Sequence, residues 1–189
     1  SEKDPGERRE EEKPGRNPHN DSHSMAEGRR GTPVGVGEGS SSSGEWWEAL
    51  NLAATRGLPI SYVLQNNQIA LDTPPINQSN VELWADKAVA MGMPSWTIDG
   101  SDPASWHASV ACAREFALSG GGPTLIHVET MRGCGHAHHH DDLYLGAQSG
   151  TPPGYVNREL LSYWEAKDPI PTHRNLLLSL GVTEEELSV

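Results

Sequence analysis

Glu38 and Asn67 stand 29 positions apart, each at the end of an apolar run. Gly37, Glu38 and Gly39 close the first run, and Asn66 and Asn67 close the second. A serine run, an amphipathic stretch and another hydrophobic segment lie between them. This layout puts a carboxylate and an amide at the ends of two β-strands with a helix between. Ligands of open α/β sheets collect outside the carboxyl ends of the strands. One carboxylate and one amide oxygen suit a hard cation such as Mg²⁺, which takes few protein ligands and completes its shell with phosphate oxygens. The pair therefore reads as a magnesium clamp for a phosphorylated cofactor. Gly39 and Ser40 lead toward the helix, where free backbone N–H groups and the dipole favour anions. A second polar cluster follows later, with Arg132, His136, His138, His139, His140, Asp141 and Asp142 in one stretch. Its composition suggests a transition-metal site. Three consecutive histidines, however, cannot all aim at one ion without an irregular backbone.

The elements that must position these residues follow from periodicity and punctuation. Strands are predicted over 32–36, 60–64, 95–98 and 124–130, the first as a short buried strand and the second as an apolar run covered on both faces. Helices are predicted over 44–56, 80–91 and 103–119, with two terminal helices over 157–166 and 171–180. Ser43 is the expected N-cap of the first helix and Gly57 its terminator, with Trp46, Trp47, Leu50, Ala53 and Ala54 facing inward. Strands alternating with helices imply βαβ units and a parallel sheet. The stretch 132–153 lacks periodicity and is long enough that such loops are usually functional.

These residues resemble a known family. The run from Gly37-Glu38-Gly39 to Asn66-Asn67 resembles the GDG…NN thiamine diphosphate motif of 2-oxo acid dehydrogenase E1 components, α-subunit type. The stretch 132–142 resembles that family's R-x-x-G-H-[SA]-x-x-x-D-D loop, and Asp99-Gly100-Ser101-Asp102 its D-G-x-D turn. The likeness extends over about 32–187. It implies an α/β thiamine diphosphate-binding fold, a parallel sheet flanked by helices, in partial form. Those subunits carry a long structured region before the first motif, where a polar tail stands here.

The resemblance further implies that Glu38, Asn67 and the backbone carbonyl of Ile69 hold Mg²⁺, and that Gly37, Gly39, Ser40, Arg132 and His136 contact the cofactor. His136 would be the catalytic residue, beside the diphosphate and the reacting centre. Arg132 would hold an anion or order the loop. Two departures stand out. The family's metal-binding acid is normally Asp, one methylene shorter than Glu38, and its phosphorylatable serine after the histidine is Ala137 here. The implied reaction is oxidative decarboxylation of a small 2-oxo acid with acyl transfer to lipoamide. The implied partners are an E1 β-type subunit, which supplies the activating glutamate, and an E2 lipoyl domain. Two other readings compete: a degenerate, non-catalytic paralogue, motivated by Glu38, and a metal-binding protein built on the histidine-rich loop.

Composition narrows the classes further. Of 189 residues, 1–30 hold only Met25 and Ala26 from the apolar set and 15 charged residues, and are expected to be a disordered polar tail. The folded part, 31–189, keeps 18 acidic residues against 7 basic ones. So acidic a body repels nucleic acid and anionic membrane surfaces. No apolar run reaches the length of a membrane span, and the glutamate-rich start is unlike a mitochondrial presequence. Two cysteines make no disulfide framework, and Cys112 reads as a small buried residue. A reducing compartment follows: the cytoplasm, or the mitochondrial matrix after presequence removal.

Overall fold

The computed structural model describes residues 31–147 and 153–188, so the expected tail over 1–30 lies outside the described residues. Four strands, β1 (Thr32–Gly37), β2 (Ile60–Asn66), β3 (Ser95–Asp99) and β4 (Thr124–Glu129), form one parallel sheet in the order β1-β2-β4-β3. The fold is the expected α/β arrangement, with helices on both faces. Alternation along the central strands sorts their side chains. Tyr62, Leu64 and Leu125 pack with Trp46, Leu50 and Ala53 of α1 (Gly44–Arg56), and with Trp84, Ala85 and Ala88. Val63, Ile126 and Val128 face Ala113 of α3 (Pro103–Leu118) on the opposite side. A third cluster, Tyr144, Val156 and Leu161, docks the long loop against Ile69 and Met131.

Local signals set most element ends. Ser43 Oγ accepts the Trp46 N–H at the start of α1, and Gly57, left-handed at φ 58°, closes it by donating to Ala53 and Ala54. Asp102 caps α3 ahead of Pro103, and Asn157 caps α5 (Arg158–Glu165). Asp168 caps α6 (Pro169–Ser179), which starts its helix two residues before the expected position.

Three expectations are corrected. The first strand is not buried: Thr32 to Gly35 are exposed and Val36 half-buried. Among the described residues β1 is a sheet edge with a single neighbour, and only its Val36 packs against the core. The helix expected over 80–91 shrinks to one turn, α2 (Asp86–Val89). Its flanks are tighter i→i+3 turns, Asp86 N–H to Leu83 and Met91 N–H to Ala88. These turns wrap Trp84 into the core at 2% exposure, where its Nε1 donates to Ser41 Oγ at 2.8 Å. Cys112 is exposed, because α3 faces the sheet with the small residues Ser109, Ala113 and Ala117, and Cys112 lies off that line. Both cysteines are free, and among the described residues no helix is long and apolar enough to cross a membrane.

Candidate functional site

The carboxyl ends of the strands gather the polar residues singled out above. Register pairs Gly37 with Gln65, Asn66 with Glu129, and Asp99 with Glu129, so Glu38, Asn67, Glu129 and Asp99 all stand at or just beyond one edge.

Glu38 is not a surface acid. It opens a 3-10 turn, Glu38–Ser42, and is 1% exposed. Ser41 holds that turn: its hydroxyl donates to the Glu38 carbonyl at 2.6 Å and accepts from Trp84 Nε1 and from Lys87 Nζ at 3.2 Å. Lys87 is itself buried between Trp47 and Trp84, and burial pushes its ammonium below the ordinary lysine range. The backbone N–H of Asn67 donates to Glu38 Oε2 at 3.4 Å.

The Asn67 side chain completes the cluster. With the amide turned to donate, its NH₂ faces Glu38 Oε1 at 3.3 Å and the Ile69 carbonyl at 2.8 Å. Turning the amide over puts its oxygen at the same place, and three oxygens from Glu38, Asn67 and Ile69 then converge. The donor set, all oxygen and carrying one carboxylate, fits a small hard cation. The residues expected to hold the metal are thus brought together, and their chemistry fits the ion.

Gly39 has no room for a side chain, since a Cβ would lie 2.5 Å from Ala70 Cβ and 3.5 Å from Gln78 Oε1. Gly39→Ala therefore must push the 38–42 turn off the 69–73 segment. The expected cost is about 1–3 kcal/mol of stability, measured by urea unfolding, as for other overpacked sites. Ser40 is exposed and lies in the 3-10 turn, its carbonyl accepting the Ser43 N–H at 3.1 Å. It therefore does not lead directly into α1, whose cap is Ser43. Gly37 ends β1 with open space around its Cα.

Arg132 is 8% exposed and committed to loop order. Its backbone N–H donates to the Asn67 carbonyl at 3.0 Å, and its guanidinium stacks on Tyr144 at 4.3 Å. Nη1 reaches the Ile69 carbonyl at 3.5 Å and Nη2 the Tyr155 hydroxyl at 3.3 Å. Of the two roles the resemblance allowed, this geometry favours ordering the loop.

His136 follows on that loop and is exposed, with no hydrogen bond or ion pair to Glu38 or Asn67 among the described residues. The loop closes on itself behind it. Gly135 N–H donates to Asp141 Oδ1 at 2.7 Å, and a Cβ on Gly135 would sit 2.6 Å from the His140 carbonyl carbon. His138 to His140 form a 3-10 turn leading into α4 (Asp141–Tyr144). Among the described residues no group of three or more His, Cys, Asp or Glu side chains is placed to hold a metal.

The D-G-x-D turn serves the frame. Asp102 caps α3, and Asp99 pairs with Lys167, which spans in from the end of α5. Burial raises the Asp99 carboxyl, but hydrogen bonds from Lys167 and Ser101 outweigh it and hold the group below the ordinary carboxylate range.

Sequence reasoning missed one network. On β4, His127 is fully buried, with Nδ1 3.0 Å from Thr97 Oγ1. Its Nε2 lies 3.1 Å from Glu129 Oε1 but out of line for a well-formed hydrogen bond, leaving an electrostatic contact. Glu129 also accepts from Asn66 Nδ2 at 3.4 Å and Gln68 Nε2 at 2.8 Å. Burial raises its carboxyl, yet these contacts outweigh that and hold it below the ordinary range. A signal was available: His127 and Glu129 interrupt the apolar run that Leu125, Ile126 and Val128 make along a central strand.

Comparison with known proteins gives the family. A family profile described as "Dehydrogenase E1 component" matches residues 22–188. The pyruvate dehydrogenase E1 component subunit alpha of Bacillus subtilis is 39% identical over 151 residues, 80% of this chain and 38% of that protein. Its counterpart in Bacillus cereus is 37% identical over 152 residues, with the same coverage of 80% and 38%. The chain thus spans 38% of the length of these curated relatives. Among solved structures, the transketolase from Leishmania mexicana overlaps 52% of this chain and 14% of its own at a TM-score of 0.44 and 24% identity, which adds nothing to the assignment. With the family profile covering residues 22–188, Glu38, Asn67 and the histidine loop included, the chain belongs to the dehydrogenase E1 component family.

Proposed function

We propose that this chain is an E1 α-type subunit, or part of one, that holds Mg²⁺–thiamine diphosphate for oxidative decarboxylation of a small 2-oxo acid, with acyl transfer to lipoamide. The observation that carries this reading is the convergence of the Glu38 carboxylate, the Asn67 amide and the Ile69 carbonyl at the carboxyl edge of a parallel sheet. In this reading those three residues hold the metal. Gly37, Gly39 and Ser40 would lie against the diphosphate, with Gly39 holding the turn too close to Ala70 to admit a side chain. Arg132 fixes the loop, and His136 donates to phosphate and steers protons during acyl transfer. When bound, thiamine diphosphate supplies the electron sink for loss of CO₂.

The chain would be half an active site. The glutamate that activates the cofactor would come from a β-type subunit or domain, and an E2 lipoyl domain would accept the acyl group. The acidic surface leaves no role for nucleic acid. Two free cysteines fit a reducing compartment, the cytoplasm or, alternatively, the mitochondrial matrix.

Titration calorimetry of the full chain with thiamine diphosphate, with and without Mg²⁺ and with and without a β-type chain, tests the reading. Binding is expected only with Mg²⁺, and CO₂ release from pyruvate only with the β-type chain. No Mg²⁺-dependent binding in either setting overturns it in favour of a non-catalytic paralogue. Zn²⁺ affinity independent of thiamine diphosphate would revive the histidine-loop alternative.

A further inference from the structure

Asn67 can serve a clamp only if its turn is held in one conformation. That turn is irregular. Gln68 has a left-handed backbone at φ 73°, a conformation that costs a non-glycine residue free energy unless its surroundings impose it. What imposes it is visible on both sides of Asn67. Glu129 Oε1 accepts from Asn66 Nδ2 and Oε2 accepts from Gln68 Nε2, so one carboxylate bridges the two residues flanking the clamp amide. The Gln68 N–H donates back to Asn66 Oδ1 at 3.2 Å, and the Thr130 N–H fixes the Asn66 carbonyl at 3.0 Å.

Glu129 is in turn backed by buried His127, which Thr97 holds from β3, so the carboxylate has little freedom to swing away. Among the described residues its carboxylate makes no hydrogen bond to Glu38, Asn67 or Ile69. Its three partners, Asn66, Gln68 and His127, belong to the frame.

We propose that Glu129 is a positioning residue for the metal clamp: by bridging Asn66 and Gln68 it holds the left-handed turn that aims Asn67 at Glu38. This rests on the clamp reading under Proposed function, in which Asn67 is a metal ligand. Removing the bridge frees the turn to relax toward ordinary backbone, and Asn67 loses its aim without any ligand being changed.

The test uses the full chain with Mn²⁺ as a spectroscopic substitute for Mg²⁺, in the presence of thiamine diphosphate. Glu129→Leu removes both acceptors. Glu129→Gln keeps the shape and one accepting oxygen. Free-Mn²⁺ electron paramagnetic resonance is expected to show affinity falling about tenfold in Glu129→Leu and about threefold in Glu129→Gln, the scale of outer-shell effects at metal sites. In the metal-free chain, the Asn67 amide is expected to exchange about tenfold faster in Glu129→Leu, while the Ala113 amide of α3 keeps its protection.

Unchanged Asn67 exchange overturns the positioning role whatever the metal does. Faster exchange with wild-type Mn²⁺ affinity also overturns it, provided Glu38→Ala loses the ion, and leaves the clamp intact. If wild type binds no Mn²⁺, the clamp itself is overturned and the proposal falls with it.

Discussion

Glu38→Ala is expected to abolish Mg²⁺-dependent thiamine diphosphate binding. It removes the only carboxylate among the three converging oxygens, leaving two neutral ones. Outer-shell substitutions at metal sites cost roughly 10–100-fold, and loss of the charged ligand should cost at least about 100-fold. Stability should not fall in parallel. Glu38 is buried at 1% exposure, and among the described residues its carboxylate accepts from Asn67 alone, at a long 3.4 Å from the backbone N–H and 3.3 Å from the turned side-chain amide. A buried carboxylate so thinly paired contributes little to folding, and neutral replacement can even stabilise. Calorimetry with a thermal melt on the same sample separates the two effects, and wild-type affinity in Glu38→Ala would refute the clamp. Glu38→Asp is the finer probe. The 3-10 turn is clamped by Ser41, Trp84 and Lys87 around a longer side chain, so Asp cannot follow the ion inward. We expect binding about fivefold weaker, close to 1 kcal/mol. A tighter Glu38→Asp variant would mean that this site has drifted from a working Asp ancestor without compensation.

His136→Ala is expected to lower turnover of the assembled enzyme by at least about 100-fold, the low end for loss of a general acid–base group. Global stability should move by no more than about 0.5 kcal/mol, as for an ordinary surface position. The structure supplies the reason for the split. His136 is exposed and, among the described residues, makes no hydrogen bond or ion pair, while the order of its loop comes from Arg132 on Tyr144 and from Gly135 on Asp141. Truncating the imidazole should therefore leave the scaffold in place. Steady-state turnover with a β-type partner, alongside urea unfolding of the chain alone, measures both. Unchanged turnover would remove His136 from the site; an equal loss of stability would make it a structural residue.

Much of the frame was legible because it is decided locally. Ser43 and Gly57 bracket α1, Asp102 and Pro103 start α3, and the near-continuous apolar runs of β2 and β4 mark strands buried on both faces. Capping and periodicity act within a few residues, so one stretch of chain carries the whole signal. The meeting of Glu38 and Asn67 was legible for a related reason: strand ends in a βαβ unit must meet at one edge, and these residues sit at two such ends.

What only the tertiary structure decided depends on segments far apart in sequence. Trp84 and Lys87 reach across 43 and 46 positions to Ser41, and that grip turned an expected three-turn helix into a chain of tight turns with α2 at its centre. Arg132 bonds Ile69 across 63 positions, which settled its place in the frame of the loop. Glu129 meets Asn66 across 63 more, because β4 rather than β3 lies beside β2. Periodicity names the strands but is silent on their order in the sheet, and the order is what brings a carboxylate to the residues on either side of Asn67. It also left β1 at the edge, exposed where its own apolar pattern called for burial.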